Sequence, residues 1–144
     1  MSQIKKIAVI GAGNMGSGIA QKMAQEGLHV VLVDIDEKFV ERGLNNIRQM
    51  LKEAVERKIL SPENVHDVLS NIIGTCDFEM VADADLVIEA VFEDKQVKFD
   101  LFDKLDQICS QKTILATNTS SFYVHEFAEK TSRPDRFVGM HYFY

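Results

Sequence analysis

The chain has 144 residues, 46% of them hydrophobic and 26% charged, with a formal net charge of −6. This is the make-up of one globular domain, and the negative balance argues against a nucleic-acid partner. No apolar run approaches the ~18 residues of a membrane helix, and the N-terminus enters an apolar run at once instead of a signal peptide; a cytoplasmic location with no membrane contact is expected.

Residues 4–10 read as a strand that feeds directly into Gly11-x-Gly13-x-x-Gly16. A helical pattern follows over 15–27, with Gly27 placed as the residue just past its end. A glycine triplet between strand and helix is built to hold a dinucleotide. Gly11 permits the tight turn, Gly13 lets a pyrophosphate approach the backbone, and Gly16 lets helix and strand pack closely. The helix opening at Asn14 and Met15 aims its free N–H groups and positive dipole end at the phosphates. Gly11, Gly13, Asn14, Met15 and Gly16 are therefore expected to bind cofactor.

The next strand, 30–34, ends on Asp34, 18 residues after Gly16. A carboxylate there accepts hydrogen bonds from ribose hydroxyls and repels a 2′-phosphate, so NAD is expected over NADP. The first arginine after Asp34 is Arg42, which agrees with that choice.

The stretch to the third strand, 72–75, exceeds the length of a one-helix crossover. Val40, Leu44, Ile47, Leu51 and Ala54 line one face of a long helix. Ser61 and Pro62 then start another, as cap and first helical residue. This predicts a helical hairpin inserted after the second strand. Its outer face carries Arg48, Lys52, Arg57 and Lys58, interleaved with Glu53 and Glu56. That pattern fits a solvated, salt-bridged face or a surface for a substrate's phosphates.

Three further strands are predicted at 86–90, 114–117 and 137–141, with a helix between the first two marked by Val97, Leu101, Leu105 and Ile108. The strands are mostly continuous apolar runs, as in a parallel sheet covered on both faces. The whole reads as one α/β domain over residues 1–144, Rossmann-type and doubly wound, with a mainly parallel sheet. Ligands of such sheets bind at the C-terminal strand ends. Glu89, Glu93, Asn118, Ser120, Ser121 and His141 all fall there and are expected to converge on the nicotinamide end of the cofactor. His141 is the candidate for proton transfer, because imidazole changes charge near neutral pH. Ser120 could orient the substrate oxygen.

His29, His66 and His125 stand in no such context and read as structural or solvent-facing. No Cys/His cluster points to a metal, and the serines lack a hydrolase's G-x-S-x-G elbow. Cys76 and Cys109 are 33 residues apart and are expected to be reduced and buried.

Together, GAGNMGSG, IEAVFED, TNTSS and RFVGMHYF resemble the N-terminal domain of the L-3-hydroxyacyl-CoA dehydrogenases, including bacterial 3-hydroxybutyryl-CoA dehydrogenases. The resemblance runs over the whole chain. It implies NAD-dependent oxidation of a (3S)-3-hydroxyacyl-CoA to the 3-ketoacyl-CoA, or the reverse. It implies His141 as catalytic base, Ser120 as the substrate-orienting serine, and Glu93 with Lys98 as cofactor contacts beside Asn118. It also implies that the hairpin touches CoA, with Arg57 or Lys58 near its phosphates. In the family a glutamate about a dozen residues after the histidine orients it. A C-terminal helical domain then supplies the substrate cleft and a homodimer interface. Both lie past Tyr144, so this chain is expected to be the cofactor-binding half and inactive alone. Tyr144 stands where the family commonly has an asparagine. Two other readings are an NAD(H)-binding regulatory module and a short 3-hydroxyacid dehydrogenase; the latter's catalytic lysine and glycine-rich segment are not seen.

Overall fold

The computed structural model describes residues 3–143. In chain order these form β1 (Lys6–Ile10), α1 (Asn14–Gln25), β2 (His29–Val33), α2 (Glu37–Glu56), α3 (Pro62–Ser70), β3 (Ile72–Thr75), β4 (Leu86–Glu89), α4 (Lys95–Ile108), β5 (Ile114–Thr117), α5 (Val124–Ala128) and β6 (Phe137–Gly139). The strands form one sheet in the order β3-β2-β1-β4-β5-β6. Every pairing in it is parallel, so the expected mainly parallel sheet is wholly so among the described residues. The order reverses between β1 and β4, which opens a crevice at their C-terminal ends.

Alternation along the strands divides the core. Ile7, Val9, Leu32 and Ile88 face α1 to α3, whereas Ala8, Ile10, Val33 and Val87 face α4 and α5. On the second side Phe102, buried in α4, meets Phe127 and Phe137 with ring centroids 5.7 and 4.7 Å away.

The predicted hairpin is α2 plus α3. Val40, Ile47 and Leu51 are buried as expected, and Val68 joins them from α3. Ser61 caps α3 in a box with Asn64, and Pro62 is its first residue. α1 closes with Gly27 at φ +83°; the Leu28 N–H reaches the Met23 carbonyl at 3.2 Å and the Gly27 N–H that of Ala24 at 3.0 Å. This paired capping is the reason for glycine there.

Three expectations are corrected. The Val97–Leu101–Leu105–Ile108 stripe of α4 holds only in part: Leu105 is buried and Leu101 and Ile108 pack against the core, but Val97 is exposed, and Lys98 and Phe102 are buried in its place. β6 ends at Gly139, so His141 lies two residues past the strand. Of the two free cysteines only Cys109 is buried; burial pushes its thiol up to about 11.

Arg133 is a structural anchor that hydrophobic patterning does not reveal. It is buried, donates from Nε to Asp106 Oδ1 at 2.7 Å, and reaches the Asp106 and Cys109 carbonyls at 2.9 and 3.3 Å and that of Ser110. These are carbonyls at the end of α4, satisfied by one guanidinium fork. Burial raises the Asp106 carboxyl, but hydrogen bonds from Ser132 and Arg133 outweigh it and hold the group below its ordinary 3.8. The stabilisation is thus present above the ordinary value and is lost as pH falls through the depressed one. Arg133→Lys keeps the charge but loses the fork. It is expected to lower stability by about 2 kcal/mol in urea unfolding at pH 7, with the difference shrinking once Asp106 is protonated in strong acid.

Candidate functional site

The β1–α1 turn is fixed by backbone constraints. Gly11 sits at φ +106°, and a Cβ there would lie 2.5 Å from the Ala90 carbonyl oxygen. A Cβ on Gly16 would come within 1.7 Å of the Gly11 carbonyl oxygen, so α1 starts in direct contact with the turn. Gly13 has nothing within 4 Å of its would-be Cβ. It caps α1 with no side-chain hydrogen bond to the first turn. Open space in front of uncapped helix N–H groups is a fit for a diphosphate.

Asp34 holds this turn in place. Its Oδ2 accepts the Ala12 N–H at 2.8 Å and its Oδ1 accepts the Ile35 N–H at 2.7 Å. Beside it a cleft of about 390 Å³ is lined by Gly11, Gly13, Asp34, Ile35, Phe92 and Val97, among others. Ile35 and Phe92 are 79% and 70% exposed. Such exposure of large apolar side chains within one cleft suits a flat apolar group such as adenine. Arg42 lines the same cleft, 5.7 Å over the Phe39 ring. Arg42 and Asp34 therefore line one cleft although eight residues separate them, because α2 folds the chain back over it. Negative charge still prevails at the end of β2. Burial raises the Cys76 thiol, and Glu37, Asp36 and Asp34 add to the rise.

Beneath the ends of β4 and β5 lies a buried polar network. Lys98 Nζ stands 2.6 Å from Glu89 Oε1 and 3.0 Å from Glu93 Oε1. The Lys98 and Glu89 side chains are 1% and 0% exposed. Glu89 also accepts the Val91 N–H at 2.8 Å and the Thr117 hydroxyl at 2.6 Å. Glu93 Oε2 accepts the Thr119 hydroxyl at 2.8 Å. Thr119 Oγ1 in turn accepts the Ser121 and Phe122 N–H groups at 3.3 and 3.2 Å. In Thr117-Asn118-Thr119-Ser120 the two threonines therefore anchor the turn, and Ser120 is exposed at its tip.

His141 is exposed beyond β6, its ring 4.4 Å from that of Phe143. Phe143 and Tyr142 border a second, apolar groove of about 340 Å³ that runs along α1 past Met15 and Ile19 to Met50 on α2. Arg57, the C-cap of α2, and Lys58, at φ +59°, lie at the exposed hairpin turn.

The family described as 3-hydroxyacyl-CoA dehydrogenase, NAD binding domain, matches residues 6–144. The chain belongs to that family. It is 41% identical over 140 residues to a probable 3-hydroxybutyryl-CoA dehydrogenase of Bacillus subtilis, covering 97% of this chain and 49% of the relative. It is 39% identical over 141 residues to the peroxisomal fatty acid beta-oxidation multifunctional protein MFP2 of Arabidopsis thaliana, covering 98% of this chain and 19% of that protein. The crystal structure of (S)-3-hydroxybutyryl-CoA dehydrogenase from Ralstonia eutropha superposes with a TM-score of 0.96 at 36% identity, over 98% of this chain and 50% of that one. The chain thus spans about half the length of the bacterial relative, and about a fifth of the plant one.

In this NAD binding domain of the 3-hydroxyacyl-CoA dehydrogenases, the expected convergence at the strand ends is partial. Ser120, Ser121 and His141 are exposed there. Glu89 is not on that surface: it is wholly buried and bound to Lys98. Lys98 is likewise enclosed between two carboxylates. Asn118 directs its Oδ1 at the Tyr142 N–H, 2.7 Å away. His29, His66 and His125 are exposed, as expected. Arg48 pairs with Glu41 at 3.1 Å, whereas Arg57 and Lys58 make no ion pair among the described residues. Tyr144 lies outside the described residues. Sequence reasoning missed Thr117 and Thr119 as anchors and Glu89 as the network's centre; a glutamate inside the apolar run LVIEAV was the available signal. No helix among the described residues is long and apolar enough to cross a membrane.

Proposed function

We propose that this domain binds NAD and that the protein carrying it oxidises a (3S)-3-hydroxyacyl-CoA to the 3-ketoacyl-CoA, or runs the reverse. The observation that carries the reading is the meeting of the glycine turn, Asp34, Ser120 and His141 at the C-terminal edge of one parallel sheet. NAD, when bound, supplies the hydride acceptor. Gly13, Asn14, Met15 and Gly16 offer the diphosphate the start of α1 and its backbone N–H groups, while Gly11, whose own N–H donates to the Val33 carbonyl at 2.8 Å, shapes the turn that brings them there. Asp34 keeps carboxylate lone pairs for ribose hydroxyls, and Glu93 with Lys98 supports the cofactor from below. His141 takes the proton of the substrate hydroxyl, and Ser120 orients that oxygen.

The apolar groove beside Phe143 supports an acyl-CoA substrate, since it leads from the neighbourhood of His141 towards α2. Arg57 follows Met50 by seven residues, about 10 Å along a helix; it and Lys58, which form no ion pair among the described residues, are cations suited to CoA phosphates. A helical C-terminal domain past residue 144 is part of this proposal, as the rest of the substrate cleft and as a homodimer interface. So is a cytoplasmic location, with which the two free thiols agree.

Fluorescence titration of the chain with NADH tests the cofactor half: saturable binding is expected, and none at millimolar NADH overturns it. The protein carrying the domain is then assayed with 3-hydroxybutyryl-CoA. His141→Ala is expected to lower kcat on the order of a hundredfold while NADH affinity stays within twofold. NADH binding without turnover in that protein would instead favour a regulatory module.

A further inference from the structure

β5 ends at Thr117 and β6 at Gly139, the last residues paired across these strands. The ladder nevertheless continues. The Met140 N–H donates to the Thr117 carbonyl at 2.9 Å. The next amide in register is that of Tyr142, and by then the β5 chain has turned away, because Thr119 is tied to Glu93. The Asn118 side chain fills the missing rung: its Oδ1 accepts the Tyr142 N–H at 2.7 Å. Asn118 is itself fixed, since its own N–H donates to the Glu89 carbonyl at 2.9 Å. His141 therefore stands between two residues whose amides are both held by the end of β5. The Tyr142 hydroxyl gives a weaker third anchor, 4.0 Å from Met23 Sδ. Without the Asn118 bond, the described residues after Met140 would have no hydrogen bond from their backbone to the sheet.

We propose that Asn118 is a positioning residue for His141, extending the β5–β6 ladder by one side-chain rung; the proposal rests on the dehydrogenase reading of His141. It assigns Asn118 a role separate from direct cofactor binding. The stake is large because a misplacement of about 1 Å at a reacting group costs on the order of a hundredfold in rate.

The test compares wild type, Asn118→Ala and Asn118→Asp in the protein that carries this domain. Asp keeps an acceptor oxygen in the same place; Ala removes it. Hydrogen exchange of the Tyr142 amide, NADH affinity, kcat and KM are measured for each. Asn118→Ala is expected to speed Tyr142 exchange at least tenfold and to lower kcat ten- to a hundredfold, with NADH affinity within twofold. Asn118→Asp is expected to restore most of the amide protection and of kcat. An unchanged kcat in Asn118→Ala overturns the proposal, as does NADH affinity that falls in step with kcat, which would mark a cofactor contact. If Asn118→Ala does not fold, Tyr142 protection in Asn118→Asp decides, and its loss overturns the proposal. A wild-type protein that binds NADH but turns over no 3-hydroxyacyl-CoA defeats the dehydrogenase reading alone, while Tyr142 exchange still decides whether the rung exists.

Discussion

Lys98→Met is expected to lower unfolding free energy by about 3–5 kcal/mol, the usual result of removing one partner from a buried ion pair. In a domain of this size that corresponds to a fall in Tm on the order of 10 °C. The methionine fills the lysine's volume, so the loss is electrostatic and not a cavity. Glu89 is left wholly buried with a charge that the Thr117 hydroxyl and the Val91 N–H answer only in part. The double variant Glu89→Gln/Lys98→Met removes both charges and should recover more than half of the loss, because a neutral amide has far less to lose on burial than a carboxylate. A second consequence concerns the site. Glu93 is freed from Lys98, and with it goes the restraint on Thr119 and the turn that presents Ser120. NADH affinity should therefore fall along with stability. Urea unfolding of the two variants checks the first part; a loss below 1 kcal/mol for Lys98→Met would show that the buried Lys98–Glu89 pair does not stabilise the fold.

What could be read in advance was what is encoded locally. The turn at Gly11–Gly16 is specified by backbone space within a few residues, and Asp34 by its place at the end of an apolar run. Both were legible, as were the strand sequence, the α3 cap and the hairpin. Lys98 was legible as a site residue only by resemblance, and its burial not at all. Its partner Glu89 is nine residues earlier on a strand, and no hydrophobic periodicity scores a buried lysine. The predicted α4 stripe held at Leu101, Leu105 and Ile108, which meet the core, but took in the exposed Val97 and left out the buried Lys98 and Phe102. Arg42 was misjudged in the opposite sense: eight residues look distant along the chain, yet a helix folds them back to one cleft. The Asn118–Tyr142 contact joins residues 24 apart across two strand ends. It depends on where β5 leaves the sheet, which no pattern of residue types records.

Substituting Gly16 and Gly13 separately should pull apart two things that a glycine motif otherwise confounds. At Gly16 an added Cβ would sit 1.7 Å from a backbone oxygen of the turn, where no rotamer change can relieve it. Either α1 withdraws or the turn opens, and both also disturb Gly11, which is wedged against the Ala90 carbonyl. Gly16→Ala is therefore expected to exceed the ordinary 1–3 kcal/mol of overpacking and to abolish NADH binding up to millimolar concentrations. At Gly13 the same methyl meets nothing in the fold, and an alanine cap in place of glycine costs only about 1 kcal/mol or less. Gly13→Ala should thus stay folded yet lose at least tenfold in NADH affinity, since the methyl occupies the space in front of the helix N–H groups. Thermal unfolding paired with NADH titration distinguishes the two. If Gly13→Ala binds NADH as wild type does, the diphosphate does not lie against the start of α1. If Gly16→Ala is as stable as wild type, the close contact between helix and turn is not a constraint on the fold. The contrast matters because one glycine is required by the protein's own backbone and the other by a molecule that the backbone has left room for.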